Sequence, residues 1–330
     1  MKVYSFNSEL CKVTGVQKVL MDIHHAVEDK YEAKIVGTVP FKNVNINHGI
    51  RENEYIQWKG NPFVFFNSVV FVHERKFLWL FWLLNHLLFQ KIKVIYVHHN
   101  IFYNHRFLSI MPDVVVSISN RSTENLVKFF RVPKEHIYLI HNCVTDKKNK
   151  SHKIKGDDKI SIVLPARINN QKRQIEIYQH LKNKIDSRIT IFFAGDGPFL
   201  NVLKEMTKDD NQFVCLGFRN DVMELLQQSD YMMLFSKNEG LSITLIEATM
   251  CGVPIIANDV GGNLEIAQKG KNAFVANDWD ELIEVLNQLP QQDPADYQRM
   301  CRNSREIYET HFTFEKFKCK YLKLLEQLNR

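Results

Sequence analysis

Short runs of Val, Ile and Phe recur along the chain and alternate with amphipathic stretches of helical period. They include KVIYVHH, DVVVSIS and IYLIHN in the first half, and KISIVLPAR, RITIFFAGDG, FVCLGF, YMMLFS and VPIIAND in the second. Runs that are apolar at nearly every residue belong to strands buried on both faces. With VQKVLMDIHHAVEDKY, RSTENLVKFFRV, QKRQIEIYQHLKNK and LSITLIEATMCG between them, the pattern predicts parallel sheets covered by helices on both sides. The expected fold class is α/β, doubly wound. At 330 residues the chain exceeds one ordinary core. Hydrophobicity collapses in TDKKNKSHKIKGDDK (Thr145–Lys159), which reads as a linker between two such domains. Ligands of open α/β sheets bind beyond the carboxyl ends of the strands, so two facing domains place the expected site in the cleft between them.

Charge is spread unevenly. Residues 1–150 hold 20 Lys/Arg against 12 Asp/Glu, whereas residues 151–330 hold 23 against 25. The basic half is either a solvated lysine surface or one that meets an anionic partner, such as a membrane surface or a phosphorylated substrate. No nucleic-acid-binding signature and no internal repeat is visible. Six cysteines stand singly, without CxxC or Cys/His metal spacing, which fits a reducing cytoplasm. The opening MKVYSFNSELCKVTG reads as strand and loop rather than as a secretory leader. The stretch FLWLFWLLNHLLF (Phe77–Phe89) falls short of the roughly 20 apolar residues that span a bilayer. It is either a core helix or, with Trp79, Trp82 and flanking Arg75, Lys76, Lys91 and Lys93, a helix resting in a headgroup layer. On these grounds the protein is expected in the cytoplasm, as a peripheral protein of the inner membrane face where the second reading holds.

The candidate chemistry lies just after strands. Beyond ISIVLPA stand Arg167 and Lys172, a planar fork and a compact charge suited to a diphosphate. Beyond YMMLFS comes KNEG, then a helix stopped by Gly252 and Pro254. Gly240 allows close backbone approach, and the free N–H groups near Leu241 and Ser242 present a helix N-terminus to an anion. Glu239, itself anionic, suits the hydroxyls of a polyol. Glu247 lies among Leu245, Ile246, Ala248 and Met250, so its expected burial calls for donors such as a ribose diol.

NEGLSITLIEATMCGVPIIANDVGG resembles the E-x7-E segment of the family 4 retaining glycosyltransferases, which have the GT-B fold of two Rossmann-like domains. LPARINNQKR is similar to their G-R-x4-K segment, with Ala166 where glycine is usual. FAGDGP and FVCLGFRND resemble the next two strand–loop elements. SISNRSTENL and IYLIHNCVT resemble the end of the first domain, with Cys143 and Thr145 in place of the usual Gly and Asp. The resemblance covers roughly residues 90–330. It implies an acceptor domain over 1–148, a donor domain over 149–311, and a last helix over 312–330 that returns to the first domain. It also implies that Arg167 and Lys172 bind the donor diphosphate, Glu239 the sugar and Glu247 the ribose. The amides of Gly240, Leu241 and Ser242 would hold phosphate and sugar oxygens, with Gly217 and Phe218 beside the base. Of the two glycines usual in the first loop only Gly15 remains. His99, or else His98, would correspond to the histidine near sugar and acceptor. His24, His25, His48 and His141 look structural or exposed, Asp259 and the Val260–Gly262 segment read as a loop, and Glu265 as a helix cap.

No Asp-x-Asp pair stands at a strand end. Asp157–Asp158 falls in the linker and Asp209–Asp210 in a loop, so metal-independent transfer and no cofactor are expected. The resemblance implies retention of anomeric configuration, and front-face substitution is the expected route, with Arg167, Lys172, Glu239 and His99 as the catalytic set. The expected partners are a nucleotide-sugar donor, a glycan or lipid-linked acceptor of surface-polysaccharide synthesis, and an anionic membrane surface. A nucleotide-sugar epimerase of the same architecture and a non-catalytic sugar-binding protein are the alternatives. The lack of G-x-G-x-x-G after the first strand counts against a nicotinamide enzyme.

Overall fold

A computed structural model describes residues 1–106, 109–146 and 159–329. Most of the predicted linker, including Asp157–Asp158, lies outside them. The chain divides into one unit of Met1–Cys143 with Phe314–Arg330 and a second of Val144–Thr313. The expected divisions at 148/149 and 311/312 therefore shift by a few residues.

The first unit contains β1 (Lys2–Phe6), α1 (Gly15–Val27), β2 (Glu32–Gly37), β3 (Tyr55–Gln57), β4 (Ser68–Val72), α2 (Leu78–Leu88), β5 (Lys93–His98), β6 (Val114–Ser117), α3 (Asn120–Lys128) and β7 (Ile137–Leu139). Its strands form one sheet in the order β3-β2-β1-β4-β5-β6-β7, and every pair is parallel. Phe6 anchors the core on one face. Its ring lies 4.9 Å from Phe77 and 5.5 Å from Phe81, edge to face. Truncating such a residue to alanine costs roughly 3–5 kcal/mol.

The second unit runs β8 (Ile160–Pro165), α4 (Gln174–Leu181), β9 (Ile189–Ala194), α5 (Leu200–Met206), β10 (Phe213–Gly217), α6 (Val222–Gln228), β11 (Tyr231–Leu234), α7 (Ile243–Met250), β12 (Ile255–Ala257), α8 (Asn263–Ile266), β13 (Ala273–Val275), α9 (Trp279–Gln288) and α10 (Pro294–His311). Its sheet, again all parallel, has the order β10-β9-β8-β11-β12-β13. After α10 the chain enters α11 (Phe314–Leu328), which lies on the first unit beside α1. Phe317, Tyr321, Leu324 and Leu325 are its buried stripe, and Lys318 pairs with Asp29 at 2.6 Å.

Strand order turns back at one place in each sheet. β1 lies between β2 and β4, and β8 lies between β9 and β11. At such a switch point the two connections leave on opposite faces, and the loops beyond the strand ends part to form a crevice. The residues beyond β1 and β4, and beyond β8 and β11, are therefore those the fold offers to a ligand.

Candidate functional site

In the second unit, residues 166–173 follow β8 and residues 235–242 follow β11. The two loops are joined directly: the Lys237 amide donates to the Gln171 carbonyl at 2.8 Å, and Gln171 Nε2 donates to the Asn238 carbonyl at 2.6 Å. Within the first loop, Gln174 donates to the Arg167 carbonyl at 3.1 Å, and Asn169 Oδ1 accepts from the Lys172 amide at 3.0 Å. Arg173 closes the loop in the left-handed region at φ 62°. Its guanidinium sits 4.2 Å from the Trp279 ring centre and 5.0 Å from that of Phe235, and it bonds to Glu176. A bulky residue adopts that backbone only when its surroundings hold it there.

The result is one contact between separate stretches. Lys172 Nζ lies 2.5 Å from Glu239 Oε1, with both side chains largely buried. Removing one partner of a buried pair leaves the other uncompensated, whereas the intact pair adds little net stability. Such a pair is thus better explained by what it presents to a ligand than by what it adds to folding. Arg167 stands exposed at the same strand end, with no carboxylate partner among the described residues. Gly240 and Leu241 are buried, and Ser242 caps α7, its Oγ accepting from the Leu245 amide at 3.4 Å. Glu247, on α7, is half-buried rather than enclosed, which corrects the expectation of a buried carboxylate. Gly217 takes φ 70° at the end of β10, and Phe218 beyond it is 70% exposed.

Three glycines allow these loops to approach. A Cβ on Gly195 would lie 2.1 Å from the Ala166 carbonyl oxygen, and one on Gly197 2.2 Å from that of Ile168. A Cβ on Gly261 would lie 2.1 Å from the carbonyl oxygen of Glu239 itself, and Gly261 has φ 60°. The Gly262 amide donates to the Gly240 carbonyl at 2.8 Å. The Val260–Gly262 segment, read from sequence only as a loop, therefore backs the Glu239 loop. Its Gly-Gly pair was the available signal. Ser236 and Asn263 are fully buried nearby, and Ser236 Oγ and Asn263 Oδ1 have no partner among the described residues. Isolated polar residues like these give no sign of such a position in the sequence.

In the first unit the loops after β1, β4 and β5 carry the polar groups. His98 is a core residue: Nε2–H donates to Asn125 Oδ1 at 3.1 Å, and Nδ1 accepts from the Tyr96 hydroxyl at 3.2 Å. Burial lowers its pKa to about 4. His99 turns instead to His73, Nε2 to Nδ1 at 2.9 Å, with the rings stacked. Burial brings His99 to about 3 and His73 well below its ordinary value, so one proton is shared between two neutral imidazoles. His73 Nε2 and Asn7 Nδ2 are buried at the ends of β4 and β1 without partners among the described residues. Glu74 accepts from the Ser8 amide and from Ser8 Oγ. His73 and Glu74 were not anticipated, because the strand before them, β4 (SVVFV), was not recognised, and Ser8 stands in the loop after β1 with no motif to mark it. Gly15 is the first residue of α1, whose cap is Thr14.

Residues 144–307, nearly all of the second unit, match the family model described as Glycosyl transferases group 1. Over 235 residues the chain is 26% identical to N-acetyl-alpha-D-glucosaminyl L-malate synthase of Bacillus anthracis, covering 66% of this chain and 60% of that one. It is 27% identical over 193 residues to UDP-Gal:alpha-D-GlcNAc-diphosphoundecaprenol alpha-1,3-galactosyltransferase of Escherichia coli, covering 53% and 48%. The chain thus spans about half to three-fifths of these two relatives. Among solved structures, Anabaena HepE in complex with UDP superposes with a TM-score of 0.85 at 18% identity, over 99% of this chain and 100% of that one. The fold is the GT-B fold of glycosyltransferases, two Rossmann-like α/β domains.

Proposed function

We propose that this protein is a retaining glycosyltransferase. It moves a sugar from a nucleotide diphosphate sugar to a glycan or lipid-linked glycan during synthesis of a bacterial-type surface polysaccharide. The observation that carries the reading is the pairing of Lys172 with Glu239 at the β8/β11 switch point, beside exposed Arg167 and the Gly240–Ser242 backbone. A cation set for a diphosphate and a carboxylate for sugar hydroxyls stand side by side there. Lysine has three donors, so Nζ can hold Glu239 and a phosphate oxygen together. The UDP-Gal donor named for the Escherichia coli relative and the UDP in the Anabaena complex support the same class of donor.

In this reading the bond between the anomeric carbon and the diphosphate oxygen breaks as the acceptor oxygen bonds to that carbon on the same face. The acceptor hydroxyl's proton passes to the departing phosphate oxygen. Arg167 and Lys172 stabilise the charge that grows on that oxygen, which is the part of catalysis that preorganised cations perform best. Glu239 orients the sugar, Glu247 holds the ribose, and neutral His99 lies on the acceptor side, its tautomer set by His73. No metal is required, because the two cations take that role. The reaction belongs on the cytoplasmic side, where activated sugars and free thiols coexist.

The test is a panel of nucleotide sugars scored by thermal stabilisation, followed by transfer with the donors that bind. A ligand at a hundred times its Kd adds about 2.7 kcal/mol to native stability. Binding with transfer and retention supports the reading. Conversion of the donor to an isomer without acceptor points to the epimerase instead, and no binding by any activated sugar refutes both.

A further inference from the structure

α2 divides its large side chains between two environments. Leu78, Phe81 and Leu84 lie in the core of the first unit, while Trp79 and Trp82 are 53% and 42% exposed. The helix then ends in Leu87, Leu88 and Phe89, of which Phe89 is 75% exposed. Trp79, Trp82, His86 and Phe89 follow at intervals of three and four residues and so share one face, with the Trp82 and His86 rings stacked. Single exposed apolar residues are ordinary, but a contiguous group of this size marks a docking surface.

The backbone singles out the same place. Phe89 at φ 48° and Lys91 at φ 54° are both left-handed, a conformation that bulky side chains rarely adopt. Between them Gln90 is buried, and the turn leaves the Phe89 ring in solvent. Strain that holds an aromatic ring out in water gains nothing there, whereas a headgroup layer would bury it. Beside Trp82 and His86 runs a groove of about 510 Å³, walled by Leu78, Ile110, Met111 and Leu328. Residues 75–93 contain Arg75, Lys76, Lys91 and Lys93 and no Asp or Glu, with Lys76 paired to Glu74 at 2.8 Å just before them; among the described residues Asp113 is the one carboxylate side chain on the groove. No described helix is long and apolar enough to cross a membrane.

We infer that this face docks onto an anionic lipid bilayer. Trp79, Trp82 and Phe89 enter the boundary between headgroups and acyl chains, and Lys91 and Lys93 meet the phosphates. A second copy of the chain is the poorer occupant, since pairing this face with itself would set cations against cations. The inference rests on the proposed lipid-linked acceptor only for its purpose, because the surface chemistry stands without it.

The test is sedimentation of the whole protein with vesicles of phosphatidylglycerol and phosphatidylcholine in equal parts, against phosphatidylcholine alone. The expected result is binding to the mixed vesicles that weakens as salt is raised. A Trp79→Ser/Trp82→Ser/Phe89→Ser variant should bind at least about tenfold less while keeping its melting temperature, because exposed side chains contribute little to folding. Failure to bind anionic vesicles, or equal binding by the variant, overturns the inference. So does a concentration-dependent dimer that the variant abolishes. Nucleotide-sugar binding measured on the same preparation tests the functional reading separately, since the vesicle assay contains no sugar.

Discussion

Replacing Gly261 by alanine is expected to lower kcat/KM about a hundredfold through a residue that carries no chemistry of its own. The new Cβ would stand 2.1 Å from the Glu239 carbonyl oxygen and 3.0 Å from its Cβ. Restoring ordinary contact requires the Glu239 backbone or the Gly261 loop to move by about 1 Å, a displacement able to cost two orders of magnitude in rate. That loss corresponds to about 2.7 kcal/mol of transition-state stabilisation. Overpacking should also cost about 1–3 kcal/mol of stability, or roughly 2–4 °C of melting temperature per kcal/mol. Part of this arises from placing a side chain at φ 60° alone, and Gly270→Ala is the control. Gly270 has φ 76° and nothing within 4 Å, so its substitution brings the backbone strain without the collision. Steady-state transfer with the donor found in the panel, alongside thermal melts of both variants, separates the two effects. If Gly261→Ala keeps as much activity as Gly270→Ala, the contact does not position Glu239.

Four further outcomes are expected. Lys172→Met should cost on the order of 3 kcal/mol by stranding Glu239, and adding Glu239→Gln should restore the melting temperature but not activity; an unchanged melt for the single variant would refute the pairing. Arg167→Ala should reduce kcat about 10²–10³-fold with a smaller effect on donor affinity, and unchanged turnover would remove it from the mechanism. Transfer should survive EDTA, and complete loss restored by magnesium or manganese would overturn metal independence. Stability should fall as pH drops. Burial holds His98 near 4 and His99 near 3, against 6.5 when unfolded, so below that value the unfolded chain binds more protons. Their contribution is complete above about pH 6.5 and is lost progressively toward about pH 3; melts that do not change across that window would refute it.

Much of the fold could be read because a parallel strand buried on both faces needs an apolar run, and β5, β6, β8, β9 and β11 each supply one. β2 and β3 gave weaker signals. β2 begins with Glu and carries a lysine at its half-buried end, and β3 has only three half-buried residues. β4 is apolar after Ser68, but only Asn67 and Ser68 part its apolar residues from another apolar stretch, Pro62–Phe66, so that the two read as one run. For α2 composition also left two readings open; Leu78, Phe81 and Leu84 are core, whereas Trp79 and Trp82 are exposed.

The order of residues alone determined that Arg167 and Lys172 follow one apolar run and Glu239 follows another, since side-chain chemistry and strand ends are local properties. Tertiary structure decided which of these meet. Lys172 reaches Glu239 because β11 lies next to β8, and Gly261 touches Glu239 because β12 lies next to β11. His99 faces His73 while His98 faces the core, because successive side chains leave a strand on opposite sides and only the packed sheet gives those sides different neighbours.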